Sequence, residues 1–173
     1  MSDTERKKIP IVSIVGRSKT GKTTVVAKLI SILKDRGIRV ATIKHHPDDF
    51  EIDREGKDTD RHKKAGAVLT MIASPRKIAM VKDVDQEMTV EQLVNHYIDH
   101  VDLIITEGYK REHFPKIEVY SARPEPPAAL EDPDLLALMS DTPIDAPVPV
   151  LKRDDVERAA DIIVKAVLGK TKG

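Results

Sequence analysis

Short apolar runs alternate along this chain with segments whose apolar residues recur every three or four positions. Residues 9–15 form a run of strand composition. Across 22–35, Val25, Val26, Leu29, Ile30 and Leu33 fall on one helical face, and Gly37 stands where such a helix stops. Residues 39–43 predict a second strand, ending at Lys44. Residues 45–64 are polar and charged with no clean period, which inside a compact domain marks a functional or disordered loop. Segments 67–72 and 78–81 read as strands hinged at Ser74-Pro75, and Thr89 opens a helix over 90–99. Residues 103–106 predict a strand that stops at Glu107-Gly108, and 117–120 another. The connector 122–127 holds three prolines. Residues 135–139 read as a strand ending at Ser140-Asp141, with a helix as the alternative. Asp154 is placed to cap a final helix whose face carries Val156, Ala159, Ala160, Ile163 and Val167. This alternation defines the α/β class, and the Val/Ile-rich runs suit a parallel sheet buried on both faces. A length of 173 residues predicts one domain, with flexible ends over about 1–8 and 170–173.

Between the first strand and the first helix lies Gly16-Arg17-Ser18-Lys19-Thr20-Gly21-Lys22-Thr23, which fits the phosphate-binding P-loop G-x-x-x-x-G-K-S/T (Walker A). The flanking strand and helix are what the chemistry needs. Loop N–H groups and the positive end of the helix converge on phosphate oxygens. The expected phosphate cradle is Gly16, Ser18, Lys19, Thr20, Gly21, Lys22, Thr23 and Thr24. Lys22 reaches the outer phosphates, as a binding and catalytic cation, and the Thr23 hydroxyl ligates magnesium. The architecture this predicts is a P-loop NTPase three-layer sandwich around a mostly parallel central sheet.

Composition removes several function classes. Cysteine is absent, so thiolate metal sites and disulfides are excluded and a reducing cytoplasm fits. The opening residues lack an apolar signal core, and no apolar run approaches membrane-spanning length. Basic and acidic side chains balance at 29 each, which argues against a nucleic-acid surface. With no Trp, two Phe and three Tyr, stacking platforms for single strands are not expected.

A P-loop protein needs a further carboxylate near its magnesium. Glu107 follows the 103–106 strand and Asp102 precedes it. Ligands bind at strand carboxyl ends, which favours Glu107 as the metal residue over a solvated loop role. Asp102, some four residues back at roughly 3.3 Å each, suits a strand-start or cap position. The 45–64 stretch carries Lys44-His45-His46 at its start and then Asp48, Asp49, Asp53, Lys57, Asp58 and Arg61. Such a loop folds over phosphates as a switch, its carboxylates orienting water, or else is a solvated charge run. The spacing of His45, His46, Asp48 and Asp49 also permits a transition metal, although clustered His and Asp are common in exposed loops. Asp141 either reads guanine, by accepting from N1 and the exocyclic amine, or serves the turn before Thr142-Pro143. There is no N-K-x-D motif, no Ser-His-Asp or Cys-His arrangement, and no assignable arginine finger, Arg17 being a candidate by position alone.

Three blocks then resemble a known family, the molybdopterin-guanine dinucleotide biosynthesis protein B (MobB) family. The first is the P-loop through Thr24. The second runs from Lys44-His45 through Phe50-Glu51-Ile52-Asp53 and Gly56-Lys57-Asp58-Thr59 to Ala65-Gly66-Ala67. The third is Asp102-Leu103-Ile104-Ile105-Thr106-Glu107-Gly108-Tyr109-Lys110 with Pro115-Lys116-Ile117. Weaker similarity continues through Ser140-Asp141 into the last helix. The chain departs from the family's more His-rich loop start at His46-Pro47-Asp48.

The resemblance implies a cytosolic, usually dimeric, GTP-binding protein with weak GTPase activity. It implies assistance to the molybdopterin guanylyltransferase that joins GMP to molybdopterin, with molybdopterin itself a further possible ligand. It places Glu107 in a Walker-B-like block and Asp53 and Asp58 in a switch-like loop, where they join Lys22 as catalytic candidates. The expected cofactors are GTP and Mg2+, and the expected partners include a second copy of the chain but neither nucleic acid nor membrane. Two other classes stay open: a P-loop small-molecule kinase or ATP-dependent ligase, and a metallochaperone-like GTPase using the His/Asp loop.

Overall fold

A computed structural model describes residues 8–169. The flexible ends expected at about 1–8 and 170–173 fall, except for residue 8, outside the described residues. Among the described residues eight strands and four helices follow in chain order. They are β1 (Ile11–Val15), α1 (Lys22–Asp35), β2 (Val40–Lys44), α2 (Asp58–Lys64), β3 (Leu69–Ser74) and β4 (Lys77–Lys82). Then come α3 (Val90–Tyr97), β5 (Leu103–Glu107), β6 (Lys116–Val119), β7 (Leu135–Met139), β8 (Val150–Leu151) and α4 (Val156–Ile163). The last helix runs on as a π-helical turn over Val164–Leu168. The described residues divide into two compact units, one of residues 8–45 and 99–169, the other of 46–98.

The first unit is built on a six-stranded sheet of order β2-β5-β1-β6-β7-β8, parallel throughout. Its strands are apolar runs because both faces are buried. On one face Val12, Ile14, Leu103, Ile105, Ile117, Val119, Ala137 and Met139 meet Val25, Val26, Leu29 and Leu33 of α1. Ala159, Ala160 and Ile163 of α4 complete that cluster. Arg36 ties the two helices at the surface, donating to Glu157 and Asp161 at 2.7 Å each.

The opposite face buries polar groups, each with a partner. Ser13 and Thr106, register partners on β1 and β5, share a hydroxyl–hydroxyl bond of 2.7 Å. Lys116, 1% exposed, donates to the Glu112 carbonyl at 3.0 Å and to Asp132 at 2.6 Å. Glu118, also 1% exposed, accepts from the Ala128 and Ala129 amides at 2.7 Å each. Paired in this way, buried charge avoids most of its desolvation penalty. Tyr120 donates its hydroxyl toward the Arg123 and Glu125 carbonyls and accepts from the Arg123 amide. Glu118 and Tyr120 together fix the segment after β6.

The second unit contains the β3–β4 hairpin, antiparallel from Leu69↔Lys82 to Ser74↔Lys77, so the strands expected on either side of Ser74-Pro75 do pair. Thr89 opens α3 through a capping box with Gln92. Inside the expected loop lies α2, which buries no residue. It has no apolar stripe to read. Its order is electrostatic, with Asp58 and Asp60 in the first turn and Arg61 to Lys64 in the last, as the helix dipole favours.

Residues 135–139 form a strand and not the alternative helix, with all but Leu136 buried. The two-residue β8 is too short to leave a period. Asp155, not Asp154, occupies the cap of α4, without a side-chain cap bond. Asp102 lies at the amino end of β5, where its carboxylate accepts from the Arg39 amide, Nε and Nη2 at 2.8–2.9 Å.

The Arg39 side-chain bond, reinforced by the backbone amide, lowers the Asp102 pKa to about 2. A depressed carboxylate stabilises the fold above its unfolded pKa of about 3.9 and loses that contribution as pH falls through the folded value. Asp102→Asn is therefore expected to lower stability modestly at neutral pH, because the pair is exposed. In denaturant titrations the gap to the parent protein should narrow as pH falls from about 4 towards 2. A gap that is constant with pH contradicts this assignment.

Candidate functional site

Parallel pairing gathers the sheet's carboxyl ends along one edge. Ile14 is in register with Glu107, and Glu107 with Lys44. The 16–21 loop leaves β1 at that edge and enters α1. Gly16 has φ +135°, and a Cβ there would lie 2.3 Å from the Val119 carbonyl oxygen at the end of β6. A side chain is excluded both by conformation and by contact. Lys19 is also left-handed, at φ 62°. Thr20 is buried and donates its hydroxyl to the Arg17 carbonyl at 3.1 Å, bracing the loop from within.

The start of α1 is suited to an anion. Gly21 caps it without a side-chain bond, and its first turn holds no acidic residue. Lys22, half-buried, folds back to donate to the Arg17 carbonyl at 2.7 Å. Burial lowers its pKa; Glu107 opposes the shift, and the cations Lys44 and Arg123 add to it. Thr23 donates its hydroxyl to the Glu107 carboxylate, at 3.1 and 3.4 Å to its two oxygens. Lys44 stands 3.7 Å from the same carboxylate. A hydroxyl and a carboxylate side by side form a hard oxygen donor set that suits magnesium. Gly108, at φ +100° with its Cβ position 3.3 Å from the His45 Cβ, turns the chain sharply away behind Glu107.

Of the residues singled out in the sequence, Gly16, Ser18, Lys19, Thr20, Gly21, Lys22, Thr23, Thr24 and Glu107 are brought to this edge. Asp141 follows β7 on the same side of the sheet, but Arg153 engages it. Arg153 donates its backbone amide to one oxygen at 3.1 Å and its Nε to the other. The guanidinium bond is the main cause of a lowered Asp141 pKa. Arg153 also reaches the Thr20 carbonyl of the P-loop at 3.4 Å. Asp53 and Asp58 belong to the second unit. There Asp53 accepts from the Arg54 amide at 2.9 Å, and Asp58 lines a cavity of about 400 Å3 with Arg61 and His62. Nδ1 of His46 is turned to the Asp48 backbone. Among the described residues no three His, Asp or Glu side chains gather as a metal site.

Lys44, named with the polar loop, stands at this edge, and two further cations there were not singled out in the sequence: Arg153 and Arg123, the latter with Nη2 3.4 Å from the Ser18 carbonyl. Each lies at or just beyond the carboxyl end of a strand, the one signal that would have found them.

The parallel sheet, the glycine loop at the end of its central strand and the uncapped helix behind it define a P-loop NTPase fold. The family model "Molybdopterin guanine dinucleotide synthesis protein B" matches residues 11–141. The chain is 36% identical over 162 residues to the molybdopterin-guanine dinucleotide biosynthesis adapter protein of Escherichia coli, covering 91% of this chain and 93% of that one. It is 32% identical over 156 residues to the adapter protein of the same name from Haemophilus influenzae, covering 90% and 88%. The crystal structure of molybdopterin-guanine biosynthesis protein B superposes with a TM-score of 0.71 at 32% identity, covering 90% of this chain and 97% of that one. The chain belongs to the MobB family. Among the described residues no helix is long and apolar enough to cross a membrane.

Two substitutions separate the loop's shape from its charge. Gly16→Ala should destabilise the fold by about 1–3 kcal/mol or more, through strain and the clash with Val119, and lower the melting temperature. Lys22→Ala should leave the melting temperature of the ligand-free protein nearly unchanged while abolishing nucleoside triphosphate binding in calorimetry. A large loss of stability from Lys22→Ala contradicts assigning Lys22 to phosphate.

Proposed function

We propose that this protein is a GTP-binding adapter in molybdopterin guanine dinucleotide biosynthesis with slow, magnesium-dependent GTPase activity. It assists a guanylyltransferase in attaching GMP to molybdopterin. The observation that carries the nucleotide part is the Thr23–Glu107 contact, at the last residue of the glycine loop and next to Lys22. Thr23 and Glu107 hold magnesium, which when bound neutralises charge on the outer phosphate oxygens. Lys22 exchanges its bond to Arg17 for phosphate oxygens, and its half-burial strengthens that interaction. The biosynthetic part is supported by the names of the curated relatives, which cover nearly the whole chain.

Guanine selection is assigned to Asp141. Arg153 favours its ionised form, and an ionised carboxylate accepts from both guanine donors while adenine offers no such pair. Asp53 and Asp58, in the segment after β2, sense loss of the γ-phosphate or orient water. The β3–β4 hairpin leaves Leu69, Met71, Ile72, Ile78 and Met80 exposed. Two-stranded sheets are marginal alone, which supports a homodimer formed through this hairpin. The cysteine-free composition fits a cytoplasmic setting.

Calorimetry with GTP and ATP, each with and without magnesium, tests the proposal. Expected is magnesium-dependent binding that favours GTP. Thr23→Ala and Glu107→Gln should remove the magnesium dependence, and Asp141→Asn should cut the preference for GTP over ATP by roughly ten-fold or more. Equal affinity for the two nucleotides in the parent protein contradicts the GTP assignment.

A further inference from the structure

Arg123 is a cation whose surroundings do not account for it. It sits in the segment after β6, in a connector with three prolines. Its backbone is secured without its side chain, because Tyr120 bonds both its amide and its carbonyl and Glu118 holds the Ala128 and Ala129 amides. The guanidinium is therefore not needed to shape the segment. Its side-chain bonds are long, 3.4 Å to the Ser18 carbonyl and 3.5 Å to the Ser121 hydroxyl, and both go to neutral oxygens. Its Nε is buried and has no hydrogen-bond partner among the described residues. Buried donors without partners are rare and point to a missing acceptor. A guanidinium fork is best matched by a bidentate oxyanion.

The neighbouring carboxylates are committed elsewhere. Glu118 is bound to two amides, and Glu107 faces Thr23 and Lys44. Arg123 is close enough to Lys22 for the two charges to repel, and that repulsion contributes to the lowered Lys22 pKa. Two cations converging on one loop are relieved by an anion bound between them.

We propose that Arg123 is a phosphate ligand supplied in cis, contacting the outer phosphate oxygens of a nucleoside triphosphate held by the P-loop. The proposal rests on the phosphate-binding reading of that loop. Pinning by Glu118 and Tyr120 holds the Arg123 backbone in place, so the segment itself needs no ordering on binding.

The test compares the parent protein with Arg123→Ala and Arg123→Lys by calorimetry, using a non-hydrolysable GTP analogue and GDP, each with magnesium. Arg123→Ala should weaken the triphosphate roughly ten-fold or more and the diphosphate distinctly less. Arg123→Lys should recover part of the loss, because it keeps the charge without the fork. Melting temperatures without nucleotide should stay close to the parent value. Unchanged triphosphate affinity in Arg123→Ala overturns the proposal, and so do equal losses for both nucleotides. If Arg123→Ala fails to fold, Arg123→Lys decides: a triphosphate-selective loss supports the contact, and parental affinity for both nucleotides overturns it. A parent protein that binds neither nucleotide overturns the phosphate-loop reading itself, whereas parent binding with an indifferent Arg123→Ala overturns only this contact.

Discussion

β1 is hydrogen-bonded in parallel on both edges, to β5 and to β6. Parallel strands end together, so this pairing places Glu107, the 16–21 loop and the segment after β6 side by side. Gly16 tightens the arrangement by letting the loop turn against the Val119 carbonyl. A slip of one residue in either pairing would turn the inward side chains of that strand to the other face. It would separate Thr23 from Glu107 and strand Ser13 without Thr106. The buried hydroxyl pair Ser13–Thr106 thus helps hold the register on which the phosphate edge depends.

The sheet's two faces divide the work. One is aliphatic and packs on α1 and α4, which supplies the bulk of the burial. The other carries Lys116 and Glu118, whose charges are buried but paired. Such groups contribute little net stability against well-packed apolar residues, yet they are costly to leave unpaired. What they do here is position loops. Glu118 and Tyr120 hold a proline-rich connector in one conformation, and that connector brings Arg123 to Ser18.

Charge at the phosphate edge is arranged for an anion. Lys22, Lys44, Arg123 and Arg153 reach it from four separate elements, while its carboxylates are bonded to hydroxyl, amide or cationic partners. Lys22 and Arg123 each donate to a backbone carbonyl, a weaker acceptor than an oxyanion. Asp141 is more constrained, since any base it reads must share the carboxylate with Arg153.

Much of this was legible in the residues themselves. The strand, glycine loop and helix over 9–35 are a local pattern with local physics, and so is the hydrophobic face of the last helix. Glu107 was legible too, because strand direction alone separates the carboxyl end from the amino end where Arg39 holds Asp102. Helix α2 was hidden because it buries nothing and so has no period. Arg123 and Arg153 were hidden because their meaning depends on which strands are neighbours, and no spacing along the chain states that β6 lies beside β1. The glycine loop and the fold class that carries it were readable along the chain, since both rest on contacts within one strand-loop-helix unit. Which distant cations face that loop, and what Asp141 is bonded to, depends instead on the packed sheet. Those are contacts between residues more than a hundred positions apart, or between separate strand ends, brought together by parallel pairing.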